Sequence, residues 1–278
     1  MWKQRRIPAL SPEVLDRIRQ IPILVYHKID RRAELGVNTI RPETFAQQMQ
    51  FFQDHGYRSI TFLDVLQNRP LPAKPFILTF DDAFESVYHH AYPILQSVGF
   101  RAVVCVVVNF VGKPNAWDVN LGGIQFSHLN WQQLRELQAA GWEVASHTLT
   151  HRALPFLNAR VLEKELRDSR NRLEAALGGP VVSVAYPFGL VNARVLRAAR
   201  DAGYRVGLGN TFWRATAENS MALTRIPIFP FEPMSKLLSR IENGNYGWYR
   251  MRWAMLRWPA VFSPIYQLLF RQHLFLDK

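Results

Sequence analysis

The sequence predicts an α/β fold of mostly parallel strands linked by crossover helices, and three observations carry that prediction. Short apolar runs alternate with longer stretches of helical periodicity along most of the chain, the pattern of units whose strands lie parallel. Gly99, Gly141, Gly178 and Gly203 stand where helix C-terminal caps belong, and Asn130 with Gln133 reads as a capping box. A chain of 278 residues with 48% hydrophobic content is long and apolar enough for one large core, which excludes general disorder.

In chain order, strand patterns fall at 21–26, 76–80, 102–108, 142–146, 181–186, 204–208 and 223–229, most of them rich in aliphatic or aromatic side chains. Helical patterns lie between them: 42–55, which opens on Pro42; 85–98, which stops before Gly99; and 131–140, which runs from the Asn130 cap to Gly141. The last two, 159–177 and 193–202, stop before Gly178 and Gly203. Residues 109–127, with Gly112, Pro114, Gly122 and Gly123, read as a long loop of the kind that serves as a lid or binding loop. The chain divides into an N-terminal extension (1–20), a domain (21–244) and a C-terminal segment (245–278), with no internal repeat.

The run Ile77-Leu78-Thr79-Phe80 ends abruptly in Asp81-Asp82-Ala83, as a buried strand delivering two carboxylates to a rim would. Dehydrating two adjacent like charges is costly unless a cation or proton compensates. Alone, the pair reads equally well as a helix N-cap with an exposed neighbour. However, a second short strand, 142–146, runs straight into His147 and then His151. Two histidines four apart converge on one ion if the segment turns helically, and one Asp with two His is the donor count of an open, catalytic metal site. No Glu follows His147, so this is not a His-Glu-x-x-His site with its adjacent base. Asp81 is the free candidate for that role.

At these residues the sequence resembles the polysaccharide deacetylases, the NodB-homology family also called carbohydrate esterase family 4. Thr79-Phe80-Asp81-Asp82, the pair His147 and His151, and Ala185-Tyr186-Pro187-Phe188-Gly189 carry the resemblance, which covers roughly 20–230. It implies a distorted (β/α)7-type barrel with the site at the strand C-terminal ends. By the same resemblance, Asp82, His147 and His151 hold one divalent metal, zinc with cobalt, nickel and iron as alternatives. Asp81 is the general base, and Phe188, in a motif with Tyr186 and Pro187, offers a backbone N–H to the oxyanion. The family's usual acid, a histidine in a late Leu-x-His motif, has no counterpart in Leu223-Thr224-Arg225. The poly-N-acetylglucosamine deacetylase branch takes its acid from an early Tyr-His motif instead, here Tyr26-His27, which makes His27 the expected acid. An imidazole near its ordinary pKa of about 6.5 suits that task.

Two positions depart from the family pattern. The usual Gly after the paired aspartates is Ala83, and the usual Arg that orients the base is Ala185. Asp81 must then be held by another group; Arg225 is the candidate, with an ordinary surface arginine as the alternative. Trp117 and Trp213 are candidates for stacking on a sugar ring, or for anchoring their loops.

The charge and the ends of the chain bear on partners. Lys and Arg number 34 against 22 Asp and Glu, a net +12, but it is spread along the chain with no recognition motif, which argues against nucleic acid. Cys105, the only cysteine, lies in an apolar run and precludes an intrachain disulfide. The basic N-terminus lacks the apolar core of a signal peptide and no run is long enough to span a membrane, so the expected location is cytoplasmic. In 245–278, Tyr246, Trp248, Tyr249, Trp253 and Trp258 alternate with Arg250, Arg252 and Arg257; this mixture suits peripheral contact with the inner membrane face, or packing on the barrel end. The expected activity is N-deacetylation of amino sugars in a polysaccharide or lipid-linked saccharide. An O-acetyl esterase and a non-catalytic glycan-binding or assembly protein are the alternatives.

Overall fold

The computed structural model describes residues 10–32, 38–116, 125–209 and 220–243. The first half of these contains α1 (Pro12–Gln20), β1 (Ile23–Tyr26), β2 (Lys28–Ile29), β3 (Thr39–Ile40), α2 (Pro42–Asp54), β4 (Tyr57–Ile60), α3 (Phe62–Leu66), β5 (Lys74–Phe80), α4 (Tyr92–Ser97) and β6 (Val103–Val106). The second half contains α5 (Trp131–Ala139), β7 (Glu143–Ser146), α6 (Ala159–Leu177), β8 (Ser183–Ala185), α7 (Ala193–Asp201), β9 (Val206–Leu208), β10 (Ile226–Pro227) and α8 (Met234–Asn243).

Seven strands pair in the order β10-β1-β5-β6-β7-β8-β9, all parallel, and β4 adds to the first half of β5. A parallel bridge between Leu208 and Leu223 brings the chain entering β10 back to β9, so the sheet curls into the (β/α)7-type barrel. The seven predicted strand runs are the seven strands of this path, most of them trimmed at their ends. Sequence reading missed α1, α3, α8, the short β2–β3 ladder and β4, whose Tyr57-Arg58-Ser59-Ile60 lacks a continuous apolar run. The predicted 85–98 helix is broken by a π-turn at Val87–Ala91, where the Tyr92 N–H reaches back to the Val87 carbonyl. Pro93 explains it: its ring has no N–H to give and would clash with the carbonyl four residues back, and a widened turn relieves both.

Strand alternation sorts side chains into two cores. Leu24, Tyr26, Phe76, Leu78, Phe80, Val104, Val106 and Val144 face the helix layer, whereas Ile23, Ile77, Val103, Cys105, Ala145, Ala185 and Leu208 fill the barrel. Helix α1, in the segment read as an extension, adds Ile18 to this inner cluster, and α3 adds Phe62 and Val65. They plug the end of the barrel opposite the strand C-termini. Asn130 and Gln133 form the predicted capping box of α5, and Gly99, Gly141, Gly178 and Gly203 all have left-handed φ.

At the plugged end, β7 carries a fully buried Glu143, which accepts hydrogen bonds from Ser183 Oγ (2.5 Å) and the Leu63 N–H (2.9 Å). Burial pushes its carboxyl up to about 7, and these hydrogen bonds only partly oppose the rise. The folded state therefore binds this proton more tightly than the unfolded chain, whose Glu titrates near about 4.3. Its contribution to stability is complete below that pH and is lost as pH rises through 7. Urea unfolding at pH 5 and pH 8 should show wild type losing on the order of 2 kcal/mol relative to Glu143→Gln over that interval. In β9, a Cβ on Gly207 would collide with the Met221 carbonyl and the Tyr186 hydroxyl. Gly207→Ala should cost about 1–3 kcal/mol in urea unfolding, as overpacked cores do.

Candidate active site

The parity that turns Ile77 and Thr79 into the barrel also turns Asp81 inward at its rim. There the Arg225 guanidinium meets the carboxylate in a bidentate pair, Nη1 to Oδ1 at 2.6 Å and Nη2 to Oδ2 at 2.8 Å, and Nη1 also reaches Thr79 Oγ1 at 3.3 Å. Arg225 is buried, not the surface arginine of the alternative reading. Ala185 on β8 and Ala145 on β7 are small, fully buried residues of the barrel interior. Burial alone would raise the Asp81 carboxyl; Arg225, with His147 and His27, overrides that and holds it well below the usual carboxylate range. The Cys105 thiol also lies in the barrel interior, and burial and the Asp81 charge push it well above its ordinary value.

Asp82 follows in a different conformation. A strand continued through it would carry its carboxylate away from Asp81, but Asp82 and Ala83 take φ of +67° and +52°. Neither is glycine, so this left-handed pair costs about 1–2 kcal/mol per residue. The turn places Asp82 Oδ1 3.5 Å from His147 Nε2 and 3.5 Å from His151 Nε2. Thr148, His151 and Phe188 are also left-handed, at +69°, +59° and +58°; backbone strain of this kind concentrates at functional sites.

The two histidines are aimed by groups around them. His147 Nδ1 lies 2.8 Å from the Ala185 carbonyl, which can only accept, so the proton sits on Nδ1 and the Nε2 lone pair faces Asp82. Glu165 on α6, a carboxylate within a stripe of buried Leu162, Leu166 and Leu173, accepts the N–H groups of Leu149 (2.9 Å) and Thr150 (3.0 Å) as well as the Thr150 hydroxyl. It splints the loop between the histidines. Below them Ser146, Ser169 and Tyr204 form a buried hydroxyl chain, with the Thr148 N–H on Ser146 Oγ at 3.1 Å. Sequence reading missed Glu165, although a lone acid in an apolar stripe is the signal that finds it.

One donor atom each from Asp82, His147 and His151 lies within 4.8 Å of the others, all three residues buried. Ligands about 2.0–2.2 Å from a tetrahedral ion stand about 3.4 Å apart, close to the oxygen–nitrogen separations here. Burial also pulls both imidazoles below their ordinary pKa, keeping them neutral as ligation requires. The residues fit a divalent metal.

The remaining candidates are distributed around this cluster. His27 follows β1, only partly covered, and feels the charges of Asp81, Arg225 and His147. Desolvation by the groups packed round its ring, with the Arg225 charge, pulls it down to about 4 against the pull of Asp81, below the expected 6.5, so it is neutral at pH 7. The Phe188 ring packs against His151, centroids 4.8 Å apart, in a turn at Pro187–Gly189. Tyr186 is fully buried with its side chain in the core, and its carbonyl accepts from the Gly189 N–H at 2.8 Å to close that turn. Trp117, Trp213 and 245–278 lie outside the described residues. Sequence reading also passed over Phe156 and Phe231, 78% and 91% exposed, each following a proline in a loop after β7 or β10. Arg194 pins the first loop at the Pro155 (3.0 Å) and Leu157 (2.6 Å) carbonyls, and the buried Glu232–Arg240 pair anchors the second. Among the described residues no helix is long and apolar enough to cross a membrane.

Comparison with known proteins agrees with this fold. The Streptococcus pyogenes deacetylase PplD, solved in complex with acetate, superposes with a TM-score of 0.70 at 28% identity, over 80% of this chain and 98% of that one. The Bacillus subtilis (strain 168) protein YxkH is 27% identical over 81% of this chain and 77% of its own length. The poly-beta-1,6-N-acetyl-D-glucosamine N-deacetylase of Staphylococcus epidermidis is 25% identical over 63% of this chain, which spans 62% of that enzyme. The family model named polysaccharide deacetylase matches residues 68–207, half of the sequence, and the chain belongs to that family.

Proposed function

We propose that this protein is a metal-dependent hydrolase that removes N-acetyl groups from amino sugars of a polysaccharide or lipid-linked saccharide. The observation that carries the reading is the buried Asp82, His147 and His151 cluster standing beside an ionised carboxylate that Arg225 clamps at 2.6 and 2.8 Å. The related enzyme that acts on poly-N-acetylglucosamine supports an N-acetylated glycan as substrate. Asp82, His147 and His151 would hold one divalent ion, zinc by its oxygen and nitrogen donors, with cobalt, nickel or iron as substitutes. Bound there, the ion supplies a water of lowered pKa and a positive charge for the acyl oxygen.

The chain's own groups perform the remaining tasks. Asp81 is the general base. Arg225 fixes its plane and keeps it ionised, so it accepts the hydrogen bond of the attacking water and directs the lone pair at the carbonyl carbon. The Phe188 N–H donates to the oxyanion, a contact typically worth a few kcal/mol; Tyr186 and Pro187 hold its turn. Amine leaves only when protonated. His27 is neutral in the free protein, so the proton that Asp81 takes from the attacking water passes to His27, whose transient imidazolium the restored Asp81 charge favours, and from there to the leaving nitrogen. Phe156 and Phe231 offer exposed apolar faces to further sugar units, and Trp117 and Trp213 are sequence candidates for the same stacking. The basic, aromatic 245–278 segment contacts the inner membrane face and lipid-linked substrate; retention on anionic vesicles that disappears on its deletion would support this, and equal retention would end it.

Acetate release from N-acetylglucosamine oligomers is the direct test. Metal-loaded wild type should release acetate, chelation should abolish it, and Asp81→Asn or His27→Ala should lower kcat by about 10²–10⁴. Arg225→Ala should lower kcat with little change in KM, because it acts through Asp81. Release from O-acetyl but not N-acetyl substrates would replace the reading with an esterase. Phe156→Ala and Phe231→Ala should raise KM for oligomers several-fold, as lost aromatic contacts of about 0.5–1.5 kcal/mol do, and leave the monosaccharide unchanged; equal effects on both substrates would remove the platform role.

A further inference from the structure

The left-handed pair Asp82–Ala83 needs a splint, and the segment Ser127–Leu129 supplies it. The Leu129 N–H donates to the Ala83 carbonyl at 2.8 Å, and the Glu85 N–H donates to the Ser127 carbonyl at 2.8 Å. Between them, His128 pairs with Phe84 in an antiparallel bridge. Its side chain adds the one contact in this set that any residue type could not make: Nδ1 lies 2.6 Å from the Asp82 carbonyl oxygen. A carbonyl only accepts, so the ring carries its proton on Nδ1 and donates it there.

The ring cannot drift from that position. It is buried and stacks on Phe84, with centroids 5.0 Å apart and planes 18° from parallel, while Phe110 covers it at 5.9 Å. Phe84 is held in turn by the Lys28 ammonium, 4.7 Å from its ring and 4.5 Å from that of Phe126. This aromatic and cationic packing seats the donor against the peptide whose φ of +67° turns the Asp82 carboxylate toward His147 and His151.

We propose that His128 is a positioning residue for the metal ligand Asp82, holding by its Nδ1–H the left-handed backbone that a glycine at position 83 would otherwise ease. The inference rests on the metal reading of the Asp82, His147 and His151 cluster. A histidine that merely fills the core differs from one that positions a ligand in what its replacements do. Phenylalanine keeps the ring and its stacking but lacks the donor. Asparagine loses the ring but puts an amide N–H close to where Nδ1 stood.

The test is zinc affinity of the full chain, measured by competition with a chromophoric chelator, alongside thermal unfolding of the metal-free protein. His128→Phe should weaken zinc binding about 10–100-fold, the usual loss when a group supporting a ligand is removed, while melting close to wild type. His128→Asn should recover most of the affinity despite melting lower. Affinity that follows stability, with asparagine the weaker binder, would overturn the proposal and leave a packing role. A second variant removes dependence on either replacement's fold: Ala83→Gly relaxes the left-handed turn, so combined with His128→Phe it should restore zinc affinity. No restoration would also overturn it. If wild type itself takes up no zinc, the metal reading fails and this inference with it; wild-type binding matched by His128→Phe removes the inference alone.

Discussion

The bidentate pair between Asp81 and Arg225 is the interaction on which the rest of the site depends. Two adjacent carboxylates at the end of a buried strand repel each other, and each is costly to dehydrate. Arg225 answers one of them with a guanidinium that is always charged and fits a carboxylate in two parallel hydrogen bonds. That fixes which carboxylate remains for the imidazoles. Asp82, brought back to the same rim by its left-handed backbone, faces His147 and His151. Breaking a buried pair by removing one partner leaves an uncompensated charge, typically a loss of about 3–5 kcal/mol, so stability and chemistry are coupled at this point.

The barrel is built so that this arrangement fits. Ala145 and Ala185 line the interior beside larger Val103, Leu208 and Ile77, and Arg225 reaches Asp81 and Thr79 within it. The Ala185 carbonyl does a second job by orienting His147. Glu165 and the Ser146, Ser169 and Tyr204 chain hold the histidine loop from the helix side. At the opposite end the interior closes with Ile18, Phe62 and Val65, and Glu143 ties three segments there by accepting from Ser183 and Leu63. The rim is therefore strained and open to chemistry while the base is plugged and serves stability, the usual division of labour in parallel barrels.

Much of this was legible in the chain. The seven barrel strands are short apolar runs flanked by glycine caps and helical periodicity, signals that depend only on neighbours in sequence. Strands and helices with weaker local signals were lost: β4 alternates with polar residues, α3 is one turn and a half, and α8 follows a proline-rich turn. The paired aspartates and the two histidines were visible because strand ends and short spacings mark them. His27 was visible by position, but its basicity was not, since desolvation rather than sequence pulls it down to about 4.

By itself the sequence determined the parallel α/β class and the motifs that carry the family resemblance, and that resemblance implies the donor set of Asp82, His147 and His151. Local apolar periodicity and short motifs are enough for those. The tertiary structure decided which arginine serves Asp81, because Arg225 and Asp81 lie 144 positions apart and only closure of the sheet from β9 through β10 to β1 and β5 brings them together. It also decided that Glu165, the Ala185 carbonyl and His128 contact the segments that carry Asp82, His147 and His151. Their contacts cross from helix or loop to strand, and a hydrogen bond that spans distant segments leaves no mark in either segment's own pattern.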